Sequence, residues 1–407
     1  MSDASVLAQK VWNYAHVLRD EGIGYADYVE QITCLLFLKM DDEREVNEGE
    51  PSMVPAGYRW ENLRDADGTA LEQQYRETLE TLARQSGLLG TIFRKAQNKI
   101  QDPAKLERLI SLIDDEIWIG LPVDVKGSIY EELLERTATE SKTGAGQYFT
   151  PRPLIDAVVE VVQPRVGETV HDPACGTGGF LIAAYEQMRK PEHDKSRLRT
   201  LRHKIFSGQD ITDGVVRLCA MNLYLHGIGS DEYTPVTRGD SLLEQPSKRY
   251  DKIITNPPFG KKSSYTFVGS DGEVGRESMT YSRSDFVATT SNKQLNFLQH
   301  IMSALAQHGT AAVVLPDNVL FEGGAGERIR RELLERFDFH TLLRLPTGIF
   351  YKPGVKANVL FFDKKPAAEK PWTQHLWIYD LRTNQHFTLK ERPLQRHHLD
   401  DFVACYK

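Results

Sequence analysis

Near residue 141 the apolar period of the chain changes, and this change limits its fold more than any other feature. Upstream, apolar residues recur at helical spacing: Val11, Tyr14, Ala15 and Leu18, then Tyr28, Ile32, Leu35, Leu36 and Leu38. Further helices are predicted over 71–84 and 103–112, with a loop rich in Glu, Pro and Gly over 47–57. Downstream, short β-branched runs alternate with helical patterns, the signature of a parallel sheet covered by helices on both faces. Strands are predicted at 169–171, 204–206, 235–238, 252–255, 311–315, 341–345 and 359–362. The polar stretch 137–146, with two glycines, is the linker candidate. The expected organisation is a helical domain over 1–140 and an α/β domain over 141–407.

Charge follows the same division. The formal net charge of −7 is the wrong sign for a chain that neutralises phosphates. Residues 1–140, however, hold 15 Lys and Arg against 27 Asp and Glu, whereas 141–407 hold 35 against 30. An acidic N-terminal domain suited to a protein partner therefore stands beside a mildly basic one. The four cysteines, Cys34, Cys175, Cys219 and Cys405, are too few and too scattered for a disulfide framework or a zinc site, so no metal and a reducing cytoplasm are expected. No leader pattern and no run of about 18 apolar residues is present, so neither export nor a membrane partner is expected.

In open α/β sheets the ligand lies beyond the carboxyl ends of the strands, so the residues just after each strand are informative. The first strand runs into His171-Asp172-Pro173-Ala174-Cys175-Gly176-Thr177-Gly178-Gly179-Phe180 and then a helix. Three residues after Gly178 stands Leu181, where the dinucleotide fingerprint requires Gly or Ala, so a nicotinamide cofactor is disfavoured. Asp172, at the strand end, can accept from a cationic amino group, which suits a methionine-type cofactor. The second strand leads to Asp210, placed to accept both hydroxyls of a ribose; its alternative is to cap the next helix, for which Asp213 is better placed. After the third strand, Asp240 can accept from the exocyclic amine of an adenine, although Gly-Asp is also common in turns.

The fourth strand delivers Asn256-Pro257-Pro258-Phe259. Two prolines after a buried strand end the ladder and remove two backbone donors, which leaves the Asn256 amide and the Pro257 carbonyl as fixed acceptors. Acceptors for both hydrogens of an adenine N6 make that nitrogen more nucleophilic and stabilise the cation formed on methyl transfer. Phe259 offers a stacking face, worth about 1–3 kcal/mol per base and comparable with the cost of extruding one.

With these motifs the sequence resembles the adenine-N6 and cytosine-N4 amino-methyltransferases in which a further motif precedes the Gly-rich turn, here Gly146-Gln147-Tyr148-Phe149-Thr150-Pro151-Arg152. Physically this segment is a helix start, with Thr150 as N-cap and Pro151 first in the helix. The resemblance implies a Rossmann-like methyltransferase sheet and S-adenosyl-L-methionine as cofactor. It places the methionine end of that cofactor under Gln147, Tyr148, Phe149, Thr150, Pro151 and Arg152, and extends its binding site to Asp172, Gly176, Thr177, Gly178, Gly179 and Asp210. The closer likeness is to modification subunits of type I restriction-modification systems, carried by Phe149-Thr150-Pro151-Arg152-Pro153-Leu154, by Ser291-Asn292-Lys293-Gln294-Leu295-Asn296-Phe297, and by the strand ends Leu315-Pro316-Asp317-Asn318-Val319-Leu320-Phe321 and Leu345-Pro346-Thr347-Gly348-Ile349-Phe350. It implies N6-adenine methylation of double-stranded DNA, with a specificity subunit that binds two modification subunits and to which a restriction subunit adds. Rival readings are a solitary DNA methyltransferase, an enzyme acting on a protein amide or RNA, and a silent scaffold. Phe259 and the segment before the Gly-rich turn favour DNA, and the intact motifs argue against a scaffold. Residues 261–292, polar and rich in Ser and Gly, read as a mobile loop, so no stretch is long enough for a recognition domain.

Overall fold

The computed structural model describes residues 9–14, 24–48, 51–118, 130, 133, 150–230, 232–260, 264–268, 274–278, 280–350, 354–383, 385–389 and 391–407. The linker candidate at 137–146 and the residues Gln147, Tyr148 and Phe149 lie outside these, as do Ala15 and Leu18. In chain order the elements are α1 (Tyr25–Glu48), α2 (Trp60–Arg64), α3 (Gly68–Ala83), α4 (Gly87–Phe93), α5 (Pro103–Asp114), α6 (Arg152–Val162), β1 (Val170–Asp172), α7 (Gly179–Arg189), α8 (Lys195–His203), β2 (Phe206–Asp210), α9 (Asp213–Leu225), β3 (Val236–Arg238) and β4 (Tyr250–Thr255). They continue with β5 (Ser264–Val268), β6 (Val274–Ser278), α10 (Lys293–Ala304), β7 (Leu305–Pro316), α11 (Asn318–Phe321), α12 (Ala325–Arg336), β8 (Phe337–Arg344), β9 (Ala357–Lys364), β10 (Trp377–Asp380) and α13 (Asp400–Tyr406). None of the described helices is long and apolar enough to cross a membrane. Two compact units result: 1–146 with 212–238, and 147–211 with 239–407.

In the first unit the apolar residues of α1 form the core, with Tyr28, Ile32, Leu35, Leu36, Phe37 and Leu38 all buried. Phe37 meets Phe93 edge to face at 5.5 Å and Tyr224 of α9 at 5.1 Å. A buried arginine anchors α9 here: Arg217, 3% exposed, sits 2.5 Å from Glu30 through Nη1 and donates from Nη2 to the Arg94 carbonyl at 2.5 Å. Asp213, expected to cap this helix, is instead its first residue, with Thr212 at the cap position. Two cations claim its carboxylate, Lys95 at 2.8 Å and Arg238 at 3.1 Å.

The sheet of the second unit runs β10-β8-β9-β7-β4-β1-β2. β4 lies between β1 and β7 and is parallel to both, with Ile253 opposite His171 and Thr255 opposite Val313. Their carboxyl ends therefore open along one edge. β7 is buried on both faces over Ala311–Leu315, as its unbroken apolar run requires. On one face, Ala311, Val313 and Leu315 pack with Leu295, Leu298 and Ile301 of α10 and with Ile329 and Leu333 of α12. One strand departs from the parallel expectation: β9 is antiparallel to β7 and β8. A parallel return needs a crossover of a dozen residues or more, usually a helix, and the described residues between β8 and β9 form none.

Two further differences from the sequence reading concern composition. The strand expected at 204–206 is Phe206–Asp210, because pairing with β1 (Val170 with Phe206, Asp172 with Gly208) holds a Ser-Gly-Gln segment of poor strand propensity. The stretch 261–292 is not one loop. β5 and β6 pair as an antiparallel hairpin, Tyr265 opposite Glu277 and Phe267 opposite Gly275, and beyond it Tyr281 and Ala288 are buried. Replacing Arg217 by alanine is expected to destabilise the first unit by about 3 kcal/mol, since it strands a carboxylate and a carbonyl packed around the guanidinium. Urea unfolding followed by helical circular dichroism measures this.

Candidate functional site

The Gly-rich turn opens at the end of β1. Gly176 and Gly178 take φ of +52° and +85°, a region other residues enter at a cost. The Gly178 N–H donates to the Cys175 carbonyl at 2.8 Å, and the Cys175 N–H donates to the Gln209 carbonyl of β2 at 3.0 Å, so the turn is stitched to the next strand. Close approach explains a glycine that sequence reading passed over: a Cβ on Gly208 would lie 3.0 Å from Cys175 Sγ and 3.1 Å from Leu181. On Gly176 a Cβ would meet nothing within 4 Å, so the turn faces open space. Gly178 occupies the N-cap position of α7 and Gly179 begins the helix. Thr177, between these glycines, is half-buried.

Three acids stand at neighbouring strand ends. Asp172 is 2% exposed. It accepts from the Thr255 hydroxyl at 2.6 Å and the Ala174 N–H at 3.0 Å. Burial pushes its carboxyl up to about 7 despite these two hydrogen bonds, with the Asp210 charge adding to the rise. Asp210 ends β2 and is half-buried, and its carbonyl accepts from the Gly239 N–H at 2.9 Å. Asp240 accepts from the Leu242 N–H at 2.9 Å and the Tyr281 hydroxyl at 3.0 Å. Arg283 holds the same turn by donating to the carbonyls of Ser241 (3.3 Å) and Leu242 (3.4 Å). Its other nitrogens grip Asp285 at 2.9 and 2.5 Å, and its guanidinium lies 4.1 Å over the Phe286 ring. Beside Asp240 is a cavity of about 360 Å³ whose wall includes His171, Gln209, Tyr250 and His300.

At the end of β4 the Asn256 side chain is buried. Its Nδ2 donates to the Thr150 hydroxyl at 2.8 Å, whereas its Oδ1 is buried with no hydrogen-bond partner. Leaving an acceptor so costs about 1–3 kcal/mol, which marks the oxygen as one that waits for a donor. Pro257, the next residue, is buried as well. The carbonyls of Pro258 and Gly260 accept from one amide nitrogen, Gln294 Nε2, at 3.3 and 2.6 Å. Gln294 is held by the start of α10, where Asn292 Oδ1 accepts from the backbone N–H groups of Gln294 (3.0 Å) and Leu295 (3.3 Å). Phe259 is buried and meets Phe350 edge to face at 5.3 Å.

The segment before the Gly-rich turn differs in detail from the sequence reading. Pro151, not Thr150, occupies the N-cap position, and the helix begins at Arg152. The Thr150 hydroxyl instead accepts from the Asn256 amide. The Arg152 guanidinium reaches Asp156 at 2.8 Å and Glu186 at 2.5 Å, linking α6 to α7. The structure thus brings Thr150, Asp172 and Asn256 together through two short hydrogen bonds, and adds Thr255, Gln294, Tyr281, Arg283 and Phe350 to the residues found by motif. Of these, only Gln294 and Phe350 carried a signal, inside the strings of family likeness; the other three act through contacts distant in sequence.

Known proteins resemble this chain along nearly its whole length. The N-6 DNA Methylase family model matches residues 122–407, and the HsdM N-terminal domain model matches residues 7–113. The chain is 40% identical to the methylase subunit of the type I restriction enzyme StySJI from Salmonella typhimurium, over 98% of this chain and 76% of that one. The same identity and coverage hold for the EcoKI methylase subunit of Escherichia coli K12. The chain belongs to the methylase subunits of type I restriction enzymes. The crystal structure of the EcoKI M protein matches at 36% identity with a TM-score of 0.56, over 98% of this chain and 76% of that one. A subunit in a structure of a type I restriction-modification system matches at 29% identity with a TM-score of 0.80, over 99% and 82%. This methylase subunit is therefore an N6-adenine DNA methyltransferase, and its sheet is that of the S-adenosylmethionine-dependent methyltransferases.

In a methylase with this arrangement, Thr150→Val removes the acceptor that orients the Asn256 amide. It is expected to lower the methylation rate ten- to about 100-fold, the scale of a misplacement of about 1 Å, while Thr150→Ser retains most activity. Single-turnover transfer of labelled methyl groups to DNA measures both.

Proposed function

We propose that the methylase subunit binds S-adenosyl-L-methionine across the carboxyl ends of β1 and β2 and methylates N6 of an adenine turned out of double-stranded DNA. The residues present suit this cofactor. The left-handed Gly176 of the turn faces open space, and three acids match its cationic amino group (Asp172), its ribose hydroxyls (Asp210) and its adenine amine (Asp240). Gly176, Thr177, Gly178 and Gly179 border the methionine end, and Gln147, Tyr148, Phe149, Thr150, Pro151 and Arg152 cover it. When bound there, the cofactor offers a methyl group activated by its sulfonium. The remaining work belongs to side chains of the chain itself. Asn256 Oδ1 and the Pro257 carbonyl accept the two N6 hydrogens, which draws electron density onto the nitrogen and shares the positive charge that develops. Pro258 stiffens the loop, and Phe259 stacks on the extruded base. The observation that carries this reading is the Asn256 amide, with Nδ2 anchored and Oδ1 buried without a partner.

The assembly belongs to the same proposal. A separate specificity subunit selects the adenine, because one base pocket cannot read the groove. It binds two of these methylase subunits through their acidic N-terminal domains, taken as residues 1–140 beside a catalytic domain over 141–407, and a restriction subunit adds to this complex in the cytoplasm.

Asn256→Ala and Phe259→Ala are expected to abolish methyl transfer and to leave cofactor affinity within about two-fold by calorimetry, because both serve the base. Unimpaired transfer in either variant refutes the assignment. A second outcome concerns pH. An Asp172 carboxyl raised to about 7, against about 4 when unfolded, binds its proton more tightly in the folded protein. Its contribution to stability therefore falls as pH rises through that window. A cationic ligand needs the ionised form, so cofactor affinity is expected to rise about ten-fold per pH unit up to pH 7, and to fall above about pH 8 as the ligand's own amino group loses its proton. In Asp172→Asn the rise below pH 7 is absent and the affinity low. Calorimetric titrations between pH 5.5 and about 8.5 measure this profile.

A further inference from the structure

Phe321 is an aromatic residue left 69% exposed, and of the exposed large apolar residues only it and Trp377, 75% exposed, are aromatic among those whose burial is described. Phe321 ends α11, the short helix that leaves β7, the strand beside the one that delivers Asn256. The turn is rigid by construction. Val319, two residues earlier, is fully buried with Leu295, Leu298 and Leu315. Arg330 donates to the carbonyls of Val319 and Glu322 at 2.9 and 2.8 Å, and Asn358 Nδ2 donates to Asp317 at 2.8 Å. Asn292 Nδ2 donates to the Glu322 carboxylate at 2.6 Å. Asn292 caps the helix whose Gln294 grips the carbonyls of Pro258 and Gly260. The residue next to Phe321 and the base-binding loop therefore hang from one helix end. After Glu322 come Gly323 and Gly324, where a Cβ would meet nothing within 4 Å, so another chain can approach the backbone closely beside the turn.

An exposed aromatic ring on a clamped turn, at the strand edge that also presents the base pocket, has the chemistry of a wedge. We propose that Phe321 enters the DNA stack at the step the target adenine vacates and holds the gap open while the base sits against Asn256 and Phe259. Apolar side chains that enter base steps in this way unstack and hold duplexes, and extrusion of a paired base leaves such a gap. This inference rests on the extruded-adenine reading above, and the test separates the two. The methylase subunit, assembled with its specificity subunit, is given duplexes that carry the sequence it modifies. In one duplex the target adenine is paired with thymine; in the other it faces an abasic site. In single turnover, Phe321→Ala is expected to slow methylation of the paired duplex by about ten-fold or more. On the abasic duplex, where extraction is already easy, it stays within about two-fold of wild type, and Phe321→Leu falls between. An equal loss on both duplexes, or no loss on either, overturns the wedge. So does failure of Phe321→Ala to co-elute with the specificity subunit, which would make the ring a protein contact. If the wild-type complex methylates neither duplex, the base-extrusion reading falls instead.

Discussion

The site depends on how the end of β4 is tied down. Thr255 donates to Asp172 at the end of β1, and the next residue, Asn256, donates to Thr150 ahead of α6. Two successive side chains, the last of the strand and the first beyond it, therefore lock together the Gly-rich turn, the acceptor loop and the segment that precedes them. Both bonds are buried, where losing one partner exposes the other to the full desolvation cost of an unpaired polar group. The Thr150 hydroxyl holds the Asn256 amide in place through its nitrogen. Its Oδ1 is buried without a partner, and it is the acceptor that the proposed chemistry uses.

A second layer fixes what the strand end alone leaves free. A proline-rich loop has few donors of its own, and Gln294 supplies one to two of its carbonyls from the start of α10. Arg283 and Tyr281 do the same for the Asp240 turn. These last two residues belong to the stretch whose composition reads as a loop. Between the base loop and the Asp240 turn the chain thus uses polar, unpatterned sequence as clamps, which combine hydrogen bonds with the apolar packing of Tyr281 and Phe286 against Leu242 and Phe297.

Much of the architecture was legible. Helical spacing located α1, α3 and α5, and the alternation beyond residue 141 located most strands of the second unit. The misplacement of β2 had a physical cause: Phe206–Asp210 is a strand because β1 offers it partners, although Ser207, Gly208 and Gln209 have no preference for one. The reversed direction of β9 was not legible either, since periodicity reports burial and not orientation.

What the sequence determined by itself was the chemistry on offer: the Gly-rich turn after β1, acids at neighbouring strand ends, and an Asn followed by two prolines and a phenylalanine. These are local, because each depends on residues adjacent in the chain and on the backbone angles that Gly and Pro allow or forbid. Only the tertiary structure decided how these parts are oriented. It gave the Thr150 hydroxyl to Asn256 and not to a helix cap, raised the Asp172 carboxyl by burying it, and set Phe321 outward on a turn whose Val319 is buried. Burial and pairing between residues tens of positions apart are properties of the packed sheet, and no short window of sequence carries them.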